Sequence, residues 1–208
     1  MNKKSLLSLV AVVSASAAYA QTFPGAGTGQ IPDGGPGCGP EGEALDITFT
    51  VTDVTAPLTA VEVDIAANHS WVGDLNVSLI APDATEHVIF AGTGSTTATG
   101  CGSGDDLDGV YNFTNEGTPD WWLLGTPYPS GDYQTTTAGD DPSGGAVTDI
   151  NAAFAAVADP NGTWTLRVLD AGGGDTGDVT AANLFLMGSA NTDIIFADGF
   201  ETSPPPTM

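Results

Sequence analysis

In several short segments between residues 45 and 187 the apolar residues of this chain fall at every second position, and that period decides the fold class before any motif is considered. Ile47, Phe49 and Val51 alternate with Thr48, Thr50 and Thr52. Val61, Val63 and Ile65 alternate with Glu62 and Asp64, and Leu75, Val77 and Leu79 with Asn76 and Ser78. Trp164, Leu166 and Val168 alternate with Thr165 and Arg167. A period of two places every apolar side chain on one face of a strand. Glu86 to Phe90 follows the turn Ala81-Pro82-Asp83-Ala84, and Val179 to Met187 closes the set with Leu184 and Leu186 on one face. Strands with one dry and one wet face do not suit a parallel sheet buried on both sides. Two antiparallel sheets packed face to face satisfy them. The expected fold is all-β, an antiparallel sandwich.

The segments between these strands are punctuated by Gly and Pro. Residues 21–45 hold them so densely that no helix or central strand survives there, and residues 21–30 read as a flexible N-terminal segment. Residues 149–157 are the one helical stretch. Residues 91–146 are polar and rich in Gly, Thr and Asp, too long for a structureless loop in a compact domain. Strands are expected there over Gly109–Phe113 and Asp132–Thr136.

Residues 1–20 read as a secretory signal peptide: Lys3 and Lys4, an apolar run from Leu6 to Ala17, then Ala18-Tyr19-Ala20 as the cleavage site. The run is too short for a good membrane span; an uncleaved anchor is the rival reading. Cleavage before Gln21 leaves Arg167 alone against 26 acidic residues. Such a surface repels nucleic acid and anionic lipid and favours cations and basic partners. Cys38 and Cys101 are the only cysteines. In an oxidising compartment they are expected to pair, closing a loop worth about 4 kcal/mol in the chain-entropy model; two free thiols are the alternative.

Four runs carry a family resemblance: His69-x-Trp71-x-Gly73-Asp74-Leu75, Leu79-x-Ala81-Pro82-Asp83, Asn161-Gly162-Thr163-Trp164-Thr165-Leu166 and Gly174-Asp175-Thr176-Gly177. They resemble, in the same order, the signature runs of the P domain (P/Homo B domain). That β-sandwich follows the catalytic domain in furin- and kexin-like proprotein convertases and in many bacterial subtilisin-like proteases. Ile31-Pro32-Asp33 is similar to the opening of such domains, and Cys101 to Glu116 to a segment of the bacterial members. Trp121-Trp122 and the loop at 139–146 depart from the pattern. The resemblance covers residues 31–188 and implies a jelly-roll-like, galactose-binding-like sandwich. Residues 189–208 form a tail, in which Ile194-Ile195-Phe196-Ala197-Asp198-Gly199-Phe200-Glu201 resembles one that recurs on secreted proteins of gamma-proteobacteria.

The motif residues have structural readings of their own. Gly73 permits a bulge or close approach where a strand is entered, and Asp74 can accept backbone N–H groups there. Asn161-Gly162 is a turn dipeptide. Gly172 to Gly177 turns between the last two strands. Trp71 and Trp164 are large enough to anchor the core.

The inventory is poor in catalytic groups. His69 and His87 are the only histidines, the serine motifs of subtilisins and α/β-hydrolases are absent, and the mature chain has no lysine. The family's proteolytic triad lies on a catalytic domain that these residues do not include. No catalytic residue is therefore expected. Calcium is the cofactor expected, at Asp105, Asp106, Asp108 and Glu116, with a solvated acidic loop as the rival. The resulting expectation is a secreted bacterial protein, extracellular or periplasmic. It would be a non-catalytic binding or stabilising module linked to proteolysis through a protease partner or an extracellular surface ligand. The rival is a lectin-like carbohydrate-binding module using Trp121, Trp122, Tyr128 and Tyr133.

Overall fold

The alternating segments form two sheets in the computed structural model, which describes residues 20–39, 41–97, 99–123, 125–139 and 144–189. The strands are β1 (Ala20–Pro24), β2 (Gly29–Gln30), β3 (Leu45–Val51), β4 (Leu58–His69), β5 (Leu75–Ile80), β6 (Glu86–Ala91), β7 (Leu107–Thr118), β8 (Gly131–Tyr133), β9 (Gly162–Asp170) and β10 (Gly177–Gly188). One short helix, α1 (Ile150–Phe154), precedes β9. The first sheet runs β1-β10-β4-β7-β8, with β2 also on β10; the second runs β3-β9-β5-β6. All pairings are antiparallel except β7 with β8. Setting aside β2 and the added edge β8, the chain crosses between sheets at every step but β5 to β6. That is the strand order of an eight-stranded jelly roll.

The inner faces supply the core. Val61, Val63 and Ile65 of β4 and Leu184 and Leu186 of β10 face Ile47 and Phe49 of β3, Val77 and Leu79 of β5, and Leu166 of β9, all buried. Each such side chain contributes roughly 1.5–3 kcal/mol of hydrophobic stabilisation. Trp164 is fully buried, meets Phe154 of α1 edge-on at 5.0 Å and donates from Nε1 to the Pro160 carbonyl at 2.8 Å. Helix α1 is shorter than the sequence suggests. Asp149 caps it by accepting from the Ala152 N–H at 2.8 Å, and Ile150 and Phe154 are buried.

Three expectations are corrected. Residues 21–30 are not a loose leader: β1 and β2 add to β10, and Ala26 bridges to Thr48 of the other sheet. An edge position tolerates the neighbouring Gly and Pro because only one side of the strand must pair. Trp71 does not anchor the inter-sheet core. It is half-buried at one end of the sandwich, with its indole N–H donating to the Cys101 carbonyl at 2.6 Å. The aromatics proposed for sugar stacking turn inward: Trp121 is 0%, Tyr128 2% and Tyr133 5% exposed. Trp121 lies 4.7–5.7 Å from Phe90, Phe113, Tyr111, Tyr128 and Tyr133, and its Nε1 donates to Thr93 Oγ1 at 3.0 Å. Trp122 is half-buried against the turn at Gly144 and Gly145. The long 91–146 segment is thus a second layer of core rather than a display loop. The signal reading and the Ile194–Glu201 motif lie outside the described residues. Among the described residues, no helix is long and apolar enough to cross a membrane.

Candidate functional site

Register brings the two most distinctive motifs together. In the second sheet Leu75 of β5 lies opposite Asp170 of β9; in the first, Gly177 of β10 lies opposite His69 of β4. The segments 69–75 and 170–177 therefore meet at one end of the sandwich. His69, 2% exposed, places Nε2 3.1 Å from Asp170 Oδ2, and its Nδ1 is 3.0 Å from the Trp71 carbonyl and 3.2 Å from the Trp71 amide nitrogen. Asp170 also accepts from the Gly172 N–H at 2.9 Å, and Ser70 Oγ donates to Asp175 at 2.9 Å. Gly177 is glycine because a Cβ there would lie 2.0 Å from the Asn68 carbonyl oxygen; at Gly73 it would lie 2.3 Å from that of Cys101. The N-terminal strap closes the same end. Gly39 and Gly42 donate to the Ala171 and Asp170 carbonyls at 2.6 and 2.8 Å, and Cys38 is disulfide-bonded to Cys101. Gly162 and Trp164 sit at the opposite end of β9, with Gly162 against Pro82.

This arrangement differs from a catalytic relay. In a Ser-His-acid triad the imidazole spans the acid and a nucleophile, whereas His69 spans Asp170 and backbone. His87 is engaged by Thr135 Oγ1 at 3.0 Å and Thr148 Oγ1 at 3.3 Å, and burial pushes its pKa down.

Asp74 stands apart from these satisfied groups. Its backbone is fully used: the N–H donates to the Trp71 carbonyl at 3.2 Å, and the carbonyl accepts from Ala171 at 2.7 Å. The residue is 6% exposed, and its carboxylate accepts no hydrogen bond among the described residues. The side chain therefore does not hold the turn, as the sequence suggested; the backbone does. Burial, then the neighbouring carboxylates of Asp170 and Asp175, raise its pKa to about 6 from the ordinary 3.8, with His69 opposing and Asp33 adding a smaller push.

Asp74 is also one of the residues lining a cavity of about 360 Å³ on the outer face of the second sheet. Its lining includes Asn76 and Ser78 of β5, Arg167 of β9, Glu86 of β6 and Glu41 of the strap. These are the wet-face partners of the apolar positions that define the strands. Glu41 accepts from Asn76 Nδ2 at 3.0 Å and Glu86 from Ser78 Oγ at 2.7 Å. Arg167 is committed to Asp46 through two parallel bonds of 2.9 Å. Sequence reading missed this groove. Its one available signal was that Arg167, the only Lys or Arg after residue 20, falls on a strand's polar face beside Ser78, a neighbour that register alone reveals.

The raised pKa has a measurable consequence. An acid that is harder to ionise when folded contributes its stability below the unfolded pKa. That contribution is lost as pH rises through the folded one. Asp74→Asn is expected to leave stability unchanged near pH 3 and to raise it by about 1–2 kcal/mol above pH 7, less than the whole shift because solvent screens part of it. Urea unfolding at both pH values measures this. Destabilisation at pH 7 would show that the carboxylate holds the fold.

The acids expected to bind calcium are not gathered into one site. Asp105 accepts from the hydroxyls of Ser103 and Thr126, which hold its carboxyl below the usual range. Asp106 and Asp108 are exposed around the start of β7. Glu116 lies eight residues further along the same strand, inside the register break of β7 between Phe113 and Thr118. Among the described residues no three His, Cys, Asp or Glu side chains are grouped to hold a metal ion. An extended strand spreads residues that are close in sequence.

Fold and site together define a class: an all-β jelly-roll sandwich with a disulfide-closed end and an acidic groove on one sheet. No family model and no curated protein matches the chain. Solved structures include two likenesses, both from Aeromonas sobria. One is the structure of a serine protease in complex with its chaperone, with a TM-score of 0.41 and 16% identity over 82% of this chain and 26% of the other. The second is the structure of the serine protease, at 0.38 and 14% over 88% and 28%. The chain thus spans about a quarter of the length of the chains it is compared with. At these scores neither likeness is a family assignment.

Proposed function

We propose that this protein is a secreted, non-catalytic binding module of the P-domain type, acting through a serine protease partner. The observation that carries the reading is the convergence of His69, Trp71, Gly73 and Asp74 with Asp170, Asp175 and Gly177. Two of the four runs that resemble P-domain signatures are thereby used as one structural unit, with both histidines engaged in bracing contacts. The disulfide fits export to an oxidising compartment. Inward-turned aromatics leave the lectin-like alternative without the stacking surface it called for.

A ligand that binds only the folded partner raises that partner's stability by mass action, about 2.7 kcal/mol at a hundredfold excess over Kd. The test is to add this protein to a bacterial subtilisin-like protease deprived of its own P domain. A saturable rise in the protease's thermal midpoint is expected, with no hydrolysis of casein by this protein alone. No rise, or casein turnover lost on His69→Ala, would overturn the proposal. Calcium at Asp105, Asp106, Asp108 and Glu116 belongs to the same proposal. It requires a saturable rise in Tm that sodium at equal ionic strength does not reproduce.

A further inference from the structure

An ionised carboxylate buried without a partner is expensive, and proteins avoid it unless the group is paired or used. Asp74, 6% exposed as a residue, accepts no side-chain hydrogen bond among the described residues and is one of the residues lining a cavity large enough for a ligand. Gly172 lets the carboxylate pack against its backbone: a Cβ there would lie 2.2 Å from it. The groove leading to it is negative. Glu41 and Glu86 flank it, while the charge of Arg167 is already matched by Asp46. Glu41 and Glu86 are held in place by Asn76 and Ser78, so the acids are preorganised.

We propose that this groove receives a lysine or arginine side chain of a partner protein, with Asp74 as the counter-charge at its closed end. The inference rests on the protein being a binding module and names the chemistry of its partner. Three features select a basic side chain over other ligands. The cavity is far larger than a metal ion, and no three ligating side chains gather among the described residues. No aromatic side chain lines it, so a sugar would find no stacking face. A long aliphatic stem with a cationic tip matches a groove that presents Val88 and Leu169 along its floor and a carboxylate at its end.

The probe is the amidated tripeptide Lys-Arg-Lys, titrated into the full mature protein at physiological ionic strength and followed by NMR shifts of the groove residues. Saturable binding is expected, with the largest shifts at Asp74, Ser78 and Val88. The amidated, N-acetylated tripeptide Gln-Gln-Gln, which has no cationic side chain, should bind at least tenfold more weakly. Asp74→Asn should weaken binding at least tenfold, while Glu116→Gln, an equal change of net charge on the other sheet, should stay within twofold. Val88→Trp fills the groove without touching a charge and should abolish binding, which keeps the test valid if Asp74→Asn fails to fold. Equal losses from Asp74→Asn and Glu116→Gln would reduce the effect to net charge and overturn the proposal. So would unaltered binding to Val88→Trp, or calcium chloride reproducing the Asp74 shifts and displacing the peptide stoichiometrically. Because the probe is synthetic, failure of the protease experiment leaves this result standing, and the reverse also holds.

Discussion

Trp121→Ala is expected to destabilise the protein by about 3–5 kcal/mol, the range for a fully buried tryptophan replaced by alanine. Five aromatic rings surround Trp121 with centroids within 6 Å, so no single neighbour can move in to fill the void. The substitution also leaves the Thr93 hydroxyl, which is 0% exposed, without the indole donor, and an unsatisfied buried group adds about 1–3 kcal/mol. Trp121→Phe keeps most of the packing and should lose clearly less. Urea unfolding of both variants measures the difference. A loss below 1 kcal/mol for Trp121→Ala would mean that the 91–146 segment is not part of the core.

Opening the Cys38–Cys101 disulfide should lower stability by about 4 kcal/mol through the freed unfolded chain, since the bridge spans 63 residues. It ties the N-terminal strap to the loop that carries the Trp71 indole's acceptor. Reduction therefore also loosens the backbone bonds from Gly39 and Gly42 to the segment after β9. Cys38→Ala with Cys101→Ala should match the reduced wild type in its unfolding midpoint. Protein purified from an oxidising compartment should show no reactive thiol when denatured without reductant. Labelling of two thiols there would refute the bridge, and a reduced midpoint equal to the oxidised one would refute its contribution.

The two effects differ in how visible they were beforehand. The disulfide was legible because a chain with only two cysteines, read as exported, offers one pairing. Trp121 was not, because residues 117–130 have no period to say which side is dry. Read alone, a Trp-Trp pair among Gly, Pro and Thr looks like an exposed loop. Only the packing of β7 and β8 against Phe90 shows that the first ring is in and the second half out.

The same division runs through the site. Strand identity, the dry face of each strand and the sandwich class follow from alternation, since the pleat is a local property of the backbone. The motif residues 69–74 were legible as a group for a related reason, their closeness along the chain. Their partners were not: His69 and Asp170 are separated by 101 residues, and only the register of β4 with β10 and of β5 with β9 brings them together. Register likewise sets Ser78 beside Arg167 and so makes the groove. Conversely, Asp105, Asp106, Asp108 and Glu116 are near in sequence, yet no three of them group as metal ligands among the described residues. The sequence by itself determined which residues face inward along each strand. The tertiary structure decided which polar residues meet, and that Asp74, at the edge of a buried turn, meets no hydrogen-bonding partner among the described residues. Period is set residue by residue by backbone geometry, whereas proximity across sheets depends on the whole chain's strand order and register.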